Sequence, residues 1–185
     1  MPPSCGRQAG DGRGSVPLRH YDLESPMRRP AKSPSFEDYL ARHSEAPILG
    51  LVLQGHLVVE ALLIAFIRLK EPGDAVYSSN FPAKTARCVS LGFLSRDEKS
   101  ALDSINDYRN DLAHILGQPL NDMDVFRLLE KLGRAGFEFS DVRMWNDKAA
   151  FRADYGVEAG LIEAFNSVFD GLAFRLQEHG GPSFF

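Results

Sequence analysis

The sequence is poor in cysteine, and its first residues do not resemble an export signal. It has two cysteines among 185 residues, Cys5 and Cys88, too few and too far apart for a disulfide framework or a cysteine-based metal site. The N-terminal residues lack the apolar run of a signal peptide, and they include Asp11, Asp22 and Glu24, whereas transit peptides are poor in acids. We therefore expect a cytoplasmic protein without disulfides.

The sequence also lacks a surplus of positive charge. Its net charge is -4, yet residues 1–34 hold six basic and three acidic side chains, so they carry +3 and the rest carries -7. Proteins that grip nucleic acid through many phosphate contacts normally present a basic face. This chain can offer nucleic acid a local site at most.

Long alternating segments and internal repeats are absent too, which argues against a β-sheet protein and a repeat array. Residues 1–34 contain six prolines and little apolar clustering, and we expect a disordered tail there. Residues 35–180 are expected to form one all-α domain. Apolar periodicity, caps and Pro/Gly stops predict helices over 36–43, 48–69, 82–91, 96–116, 122–132 and 157–177, with 136–150 as a loop that has room for a short strand or helix.

The segment 48–69 is the most hydrophobic part of the chain and is long enough to span a membrane. However, Gln54, His56 and Glu60 lie near its middle, where an ionised carboxylate in lipid is costly. We therefore expect no membrane association, and we interpret the segment as a central helix buried on nearly all sides of a bundle.

A dense polar cluster, Tyr108-Arg109-Asn110-Asp111-Leu112-Ala113-His114, lies at the end of the helix predicted over 96–116. At about 100° per residue, Asn110 and His114 share a polar face, whereas Arg109 is roughly 140° from His114. One straight helix cannot direct both side chains at one atom. Either the long arginine reaches round, or the last turn is distorted, or two copies of the chain pair to complete one cleft.

The residue types in this cluster suit phosphodiester chemistry. A histidine can exchange a proton with a ribose 2'-hydroxyl or a leaving 5'-oxygen, and an arginine can hold the phosphate as negative charge develops. Asn110 could orient the phosphate or the histidine, and Asp111 could steady Arg109. Metal-independent RNA cleavage by Arg109 and His114 is the function this pattern favours, and a non-catalytic regulatory or binding role is the alternative.

His56 and Glu60 form a second polar pair, one helical turn apart. Glu60 could support the site as a partner of Arg109 or His114, or it could bond to His56 or to the end of another helix. No third metal ligand follows at a recognisable spacing, and no glycine-rich phosphate loop or nucleophile elbow occurs. We therefore expect neither a metal nor a cofactor.

The segment Arg109 to His114 resembles the arginine, four-to-six residues, histidine motif of the HEPN superfamily, in the form with asparagine after the arginine. Three further features agree in order. They are Gly55-His56-Leu57-Val58-Val59-Glu60 before a leucine-rich stretch, Phe81 with Lys84 at the start of the next helix, and Leu91-Gly92-Phe93-Leu94 before the motif helix. The pattern is similar to HEPN branches related to the mannitol operon repressor family, and it covers about residues 46–132.

The resemblance implies an up-and-down helical bundle that forms a homodimer with the motif at its interface, to which this chain adds a C-terminal helix. Many HEPN proteins are ribonucleases that leave a 2',3'-cyclic phosphate, often toxins or defence effectors with an antitoxin or regulatory protein as partner. Arg109 and His114 match their catalytic pair. Other members are regulators, so the resemblance also admits a dimeric protein that binds nucleotide or a partner without cutting RNA.

Overall fold

The protein is all-helical in the computed structural model, which describes residues 47–114 and 120–182. The helices are α1 (Pro47–Lys70), α2 (Phe81–Ser90), α3 (Arg96–His114), α4 (Asp122–Arg134), α5 (Arg143–Asn146), α6 (Lys148–Asp154) and α7 (Gly156–Glu178), and a 3-10 turn spans Ala75–Ser78. The predicted all-α bundle is thereby confirmed. The predicted tail over 1–34, the helix over 36–43 and the end of α3 near Leu116 lie outside the described residues.

Local signals in the sequence account for the helix ends. The Asn121 side chain accepts hydrogen bonds from Met123 and Asp124 backbone N–H groups, and the Asp124 carboxylate accepts a bond from the Asn121 N–H at 3.4 Å. Such reciprocal capping satisfies donors that a helix N-terminus otherwise leaves open. At the end of α2, Gly92 has a φ of +81°, a conformation that glycine adopts without steric cost.

One hydrophobic core joins the four long helices. Leu63 and Phe66 of α1 are fully buried with Leu102 of α3 and Leu172 of α7, and α4 adds Leu128, Leu129 and Leu132. Helix α1 lies at the centre of this arrangement, because it contacts α2, α3 and α7. At Gly55 the contact with α7 is so close that an added Cβ would stand 2.4 Å from the Phe165 ring.

The segment 136–150, predicted as a loop with room for a short element, contains the first of two short helices, α5, and the start of α6. Trp145 of α5 covers Gly133 of α4, where a Cβ would lie 2.4 Å from the indole ring. The Asp147 side chain caps α6 by accepting bonds at 3.0 Å from Ala149 and Ala150. Helices this short span too few turns to show a clear apolar period.

The expectation that α1 is buried on nearly all sides is wrong. Its apolar residues Leu57 and Val58 are 63% and 44% exposed, whereas the neighbouring polar residue His56 is only 6% exposed. His56 and Glu60 face the neighbouring helices, where Asn106 of α3 and Lys84 of α2 are their partners, whereas Gln54 is exposed together with Leu57 and Val58. By length and composition, Ile48–Lys70 could cross a membrane, with a mean hydropathy of 2.1 and 28% of the apolar window buried.

Candidate functional site

Helix α3 is fixed at its N-terminus, and this helps to place the Arg109 region. Ser95 and Glu98 form a capping box: the Ser95 N–H donates to the Glu98 carboxylate at 2.7 Å, and the Glu98 N–H donates to Ser95 Oγ at 3.1 Å. Arg175 of α7 pairs with the same carboxylate at 2.6 Å. Although burial raises the pKa of Glu98, the bonds from Arg175 and Ser95 outweigh it and lower the pKa below its ordinary value.

The apolar stripe of α3, the apolar residues along one side of the helix, is in the core. Ala101, Leu102 and Ile105 are at most 2% exposed. Further along the stripe, the Tyr108 hydroxyl donates to the Asp124 carbonyl of α4 at 2.7 Å. The helix therefore packs against the core by its apolar side, and the opposite side carries the polar cluster.

Arg109 is half-buried at the edge of this stripe, and Asn110 is its hydrogen-bond partner. Arg109 Nη1 donates to Asn110 Oδ1 at 3.0 Å. Asp111, the residue expected to steady the arginine, is exposed. The Asn110 amide thus bonds to Arg109 where we expected the Asp111 carboxylate, and because the amide is neutral it adds no negative charge beside the guanidinium.

His114 is the last residue of α3 that the structure describes, and its side chain lies outside the described residues. The helix runs without a break from Arg96 to His114. A regular α-helix separates positions five residues apart by about 140° around its axis. The distortion of the last turn that could bring the two side chains together is therefore absent up to His114.

His56 of α1 lies next to the motif helix. Its Nε2 is 3.3 Å from Asn106 Oδ1 of α3, and its ring centroid is 4.5 Å from that of Phe81. Burial is the main cause that lowers the pKa of His56 below its ordinary value, and the positive charge of Arg109 acts in the same direction. The imidazole is therefore held neutral, within the electrostatic reach of Arg109.

Glu60, one turn further along α1, pairs with Lys84 of α2. Lys84 Nζ donates to Glu60 Oε1 at 2.9 Å and also to the Ser79 carbonyl. Lys84 is 2% exposed and Glu60 about a quarter exposed. Among the described side chains, the partner of Glu60 is a lysine that the sequence marked only as a position near the start of α2, rather than Arg109. The side chain of His114, the other partner considered in the motif, lies outside the described residues.

These contacts bring together residues from three helices. His56 and Glu60 come from α1, Lys84 from α2, and Asn106, Arg109 and Asn110 from α3. Three of the side chains are nitrogen bases or cations, and one is a carboxylate. The positive charge of Arg109 can hold an anion, and the surrounding side chains are fixed by hydrogen bonds in pairs: His56 with Asn106, Glu60 with Lys84, and Arg109 with Asn110. In the parts of the chain that the structure describes, no group of three or more His, Cys, Asp or Glu side chains is placed to bind a metal ion.

The sequence reasoning missed Asn106 and Lys84 as members of this cluster. Lys84 lies on the buried side of α2 with Phe81 and Cys88, and Asn106 is half-buried on α3. Each contacts a residue at least 24 positions away. The periodicity that places helices carries no information on which polar residues of two helices meet. A signal existed for Lys84 alone, in its position beside Phe81.

Comparison with known proteins adds no relative to this description: no family model, no curated protein and no solved structure matches the chain.

Proposed function

We propose that the protein is an endoribonuclease of HEPN type that acts as a homodimer and cleaves RNA without a metal. The observation that carries the proposal is the half-buried Arg109, which bonds to Asn110 and acts electrostatically on the neutral His56, on the same helix as His114. An arginine with a neighbouring amide is suited to a phosphate whose charge increases during cleavage.

In the proposed reaction, the ribose 2'-oxygen attacks the adjacent phosphorus, and the bond to the 5'-oxygen of the next nucleotide breaks. A general base removes the 2'-hydroxyl proton, a general acid gives a proton to the leaving 5'-oxygen, and a 2',3'-cyclic phosphate remains. His114 is the residue proposed for proton transfer, and Arg109 stabilises the charge on the phosphate oxygens.

Glu60 has an indirect role in this proposal. Its carboxylate accepts a bond from the buried Lys84, so it holds α2 against α1, one helical turn from His56, rather than positioning Arg109 directly. Asn110 positions Arg109, and Asp111 is exposed where it can face solvent or substrate. None of these three is proposed to transfer a proton.

A homodimer is part of the proposal because α3 is an unbroken helix from Arg96 to His114. With Arg109 and His114 on different sides of one helix, a cleft that uses both is simplest to build from two copies. The exposed apolar face of α1, formed by Leu57, Val58 and Ala61, is on the helix that contacts α3 and offers a surface for such pairing.

The test is RNA cleavage by the purified protein in excess chelator. We expect activity that survives chelation, is lost in Arg109→Ala and His114→Ala, and yields 2',3'-cyclic phosphate ends. Arg127→Ala, at an exposed arginine of α4, is the matched control and should cleave like the natural protein. Cleavage that needs a divalent ion, or that persists in His114→Ala, would contradict the proposal.

The second candidate is a dimeric regulator that binds a nucleotide or a protein partner and does not cut RNA. The charge of -7 on residues 35–185 favours it, because an acidic surface repels a polyanion outside the immediate site. This candidate predicts no cleavage at any protein concentration, and unchanged oligomeric state and partner binding in the Arg109 and His114 variants.

A further inference from the structure

A groove of about 980 Å³ lies between α7 and the segment that follows α4, and none of its lining residues belongs to the motif around Arg109. Its walls combine aromatic rings with carboxylates. Phe137 and Phe139 stand on one side, and Phe174, which is 60% exposed, stands on the other. An exposed phenylalanine beside a cleft marks a surface suited to bind another chain.

The charge of the groove is strongly negative. Glu138, Glu163, Asp170 and Glu178 line it, and Arg175 is the basic residue among the lining side chains. That arginine already pairs with Glu98 and donates to the Phe93 carbonyl at 2.9 Å. Glu163 accepts a bond from the Ser140 backbone N–H at 2.6 Å. The other three carboxylates form no ion pair within the described parts of the chain, so they remain available to a positively charged ligand.

We propose that this groove binds residues 26–34 of the same chain, Pro-Met-Arg-Arg-Pro-Ala-Lys-Ser-Pro. This segment has prolines at positions 26, 30 and 34, three basic side chains and no acidic one. Proline-rich peptides dock in aromatic-lined grooves because their extended backbone is already ordered, and its carbonyl groups remain free. The arginines add charge complementarity and can lie over the phenylalanine rings.

The connecting chain is long enough. Gly55 of α1 touches Phe165 of α7, so the path from Pro47 to Glu163, at the near end of the groove, follows two helix segments and one helix contact, about 25 Å in all. Residues 35–46, which link the segment to α1, can extend to about 40 Å, and they still span about 25 Å with the helix that we predict over 36–43. The proposal is independent of RNA cleavage and concerns a surface apart from Arg109.

Paramagnetic relaxation in the full chain tests it. The double variant Cys5→Ser with Ser35→Cys carries a nitroxide on the thiol introduced next to the segment. Cys88 stays unlabelled, because it is buried and burial raises its pKa to about 12. We expect strong loss of amide signal intensity at residues 136–140 and 166–178, and little loss at the exposed end of α2. No loss around the groove would overturn the proposal.

Two double variants separate specific docking from general attraction. Asp170→Lys with Glu178→Lys, in the groove, should abolish the intensity loss, as should Arg28→Glu with Arg29→Glu in the segment. Asp74→Lys with Asp97→Lys changes the net charge of the chain as much as the groove variant does, at exposed positions outside the groove, and it should leave the intensity loss in place. Equal effects of the groove variant and of Asp74→Lys with Asp97→Lys would overturn the proposal.

A mixed sample identifies the copy that supplies the segment. Isotope-labelled protein without nitroxide is combined with unlabelled protein that carries it. Signal loss that occurs when one chain carries both the isotopes and the nitroxide, and that is missing from the mixed sample, supports docking within one chain, as proposed. Signal loss of equal size in the mixed sample would contradict it, because the segment would then come from a neighbouring molecule.

Discussion

Lys84 Nζ lies 2.9 Å from Glu60 Oε1, and this pair joins α2 to α1 one helical turn from His56. Lys84 is the more deeply buried partner, and its ammonium also donates to the Ser79 carbonyl. A buried cation that loses its carboxylate is left without compensation for its lost hydration. The pair therefore fixes the relative positions of two helices that contribute side chains to the candidate site.

Glu60→Gln should consequently destabilise the protein by about 3 kcal/mol, the lower end of the range for breaking a buried pair. The matched control is Glu71→Gln, which removes the partner of the exposed Arg87 and should cost less than about 1 kcal/mol. Urea unfolding followed by circular dichroism measures both. Equal, small losses in the two variants would show that solvent reaches Lys84 and that the pair does not fix the helices.

Gly55→Ala should destabilise the protein by about 1–3 kcal/mol, because the new methyl group would overlap the Phe165 ring at the contact of α1 with α7. Gly50→Ala, five residues earlier in the same helix, is the control. A Cβ there meets nothing within 4 Å, so the variant should be stabilised by about 0.5–1 kcal/mol through helix propensity. Thermal unfolding separates the two signs, and a stabilised Gly55→Ala would contradict the close packing of the helices.

The sequence contains enough information for the helices but not for their polar contacts. The bounds of α1, α2, α4 and α7 follow within one or two residues from apolar periodicity and from caps such as Asn121 and Gly92. These signals are local. The pairing of Glu60 with Lys84, by contrast, depends on the rotation of two helices about their axes, and no periodicity records that rotation.

The exposed face of α1 was missed for a related reason. The segment 48–69 is apolar on almost every side, so its composition predicts general burial and cannot say which side lacks a neighbour. Polar residues suggest an outward face by the usual rule, and Gln54 is exposed, yet His56 and Glu60 are turned toward Asn106 and Lys84, with which they bond. Long-range polar partners thus reverse the assignment made from hydropathy.

Stability should fall as the pH is lowered through the range just below 6.5, and His56 should contribute to the fall. Its pKa is lowered in the folded protein, chiefly by burial, so in that range the unfolded chain binds the proton more readily than the folded one. Above the unfolded pKa its contribution to stability is fully present, and it is lost as the pH falls through that range and reaches the folded pKa.

The measurement is the free energy of unfolding at several pH values, in the natural protein and in His56→Gln, whose amide can still bond to Asn106 and does not titrate. The difference in slope between the two proteins isolates the histidine from the carboxylates that also titrate on acidification. A steeper slope in His56→Gln, or a His56 NMR titration midpoint above 6.5, would contradict the neutral buried imidazole.

Asn110→Ala should weaken cleavage without abolishing it, because Asn110 holds Arg109 through one hydrogen bond at 3.0 Å. A positioning bond of this kind contributes about 1 kcal/mol, so the expected loss of kcat is roughly 5-fold. Asp111→Ala, at the exposed neighbouring carboxylate, should change kcat less. Single-turnover cleavage of a short RNA measures both, and a larger loss in Asp111→Ala would transfer the positioning role to the carboxylate.

The last prediction concerns the apolar face of α1. Leu57→Glu combined with Val58→Glu places two charges on side chains that are 63% and 44% exposed, so the fold of one chain should tolerate them. If this face joins two copies, the charges become buried at the interface, and the variant should be monomeric and unable to cleave RNA. Ile162→Glu on α7, at a side chain 43% exposed, is the control and should leave both properties intact. Sedimentation at several concentrations, with cleavage assayed on the same samples, decides the matter, since a monomer that cleaves at the full rate would remove dimerisation from the proposed mechanism.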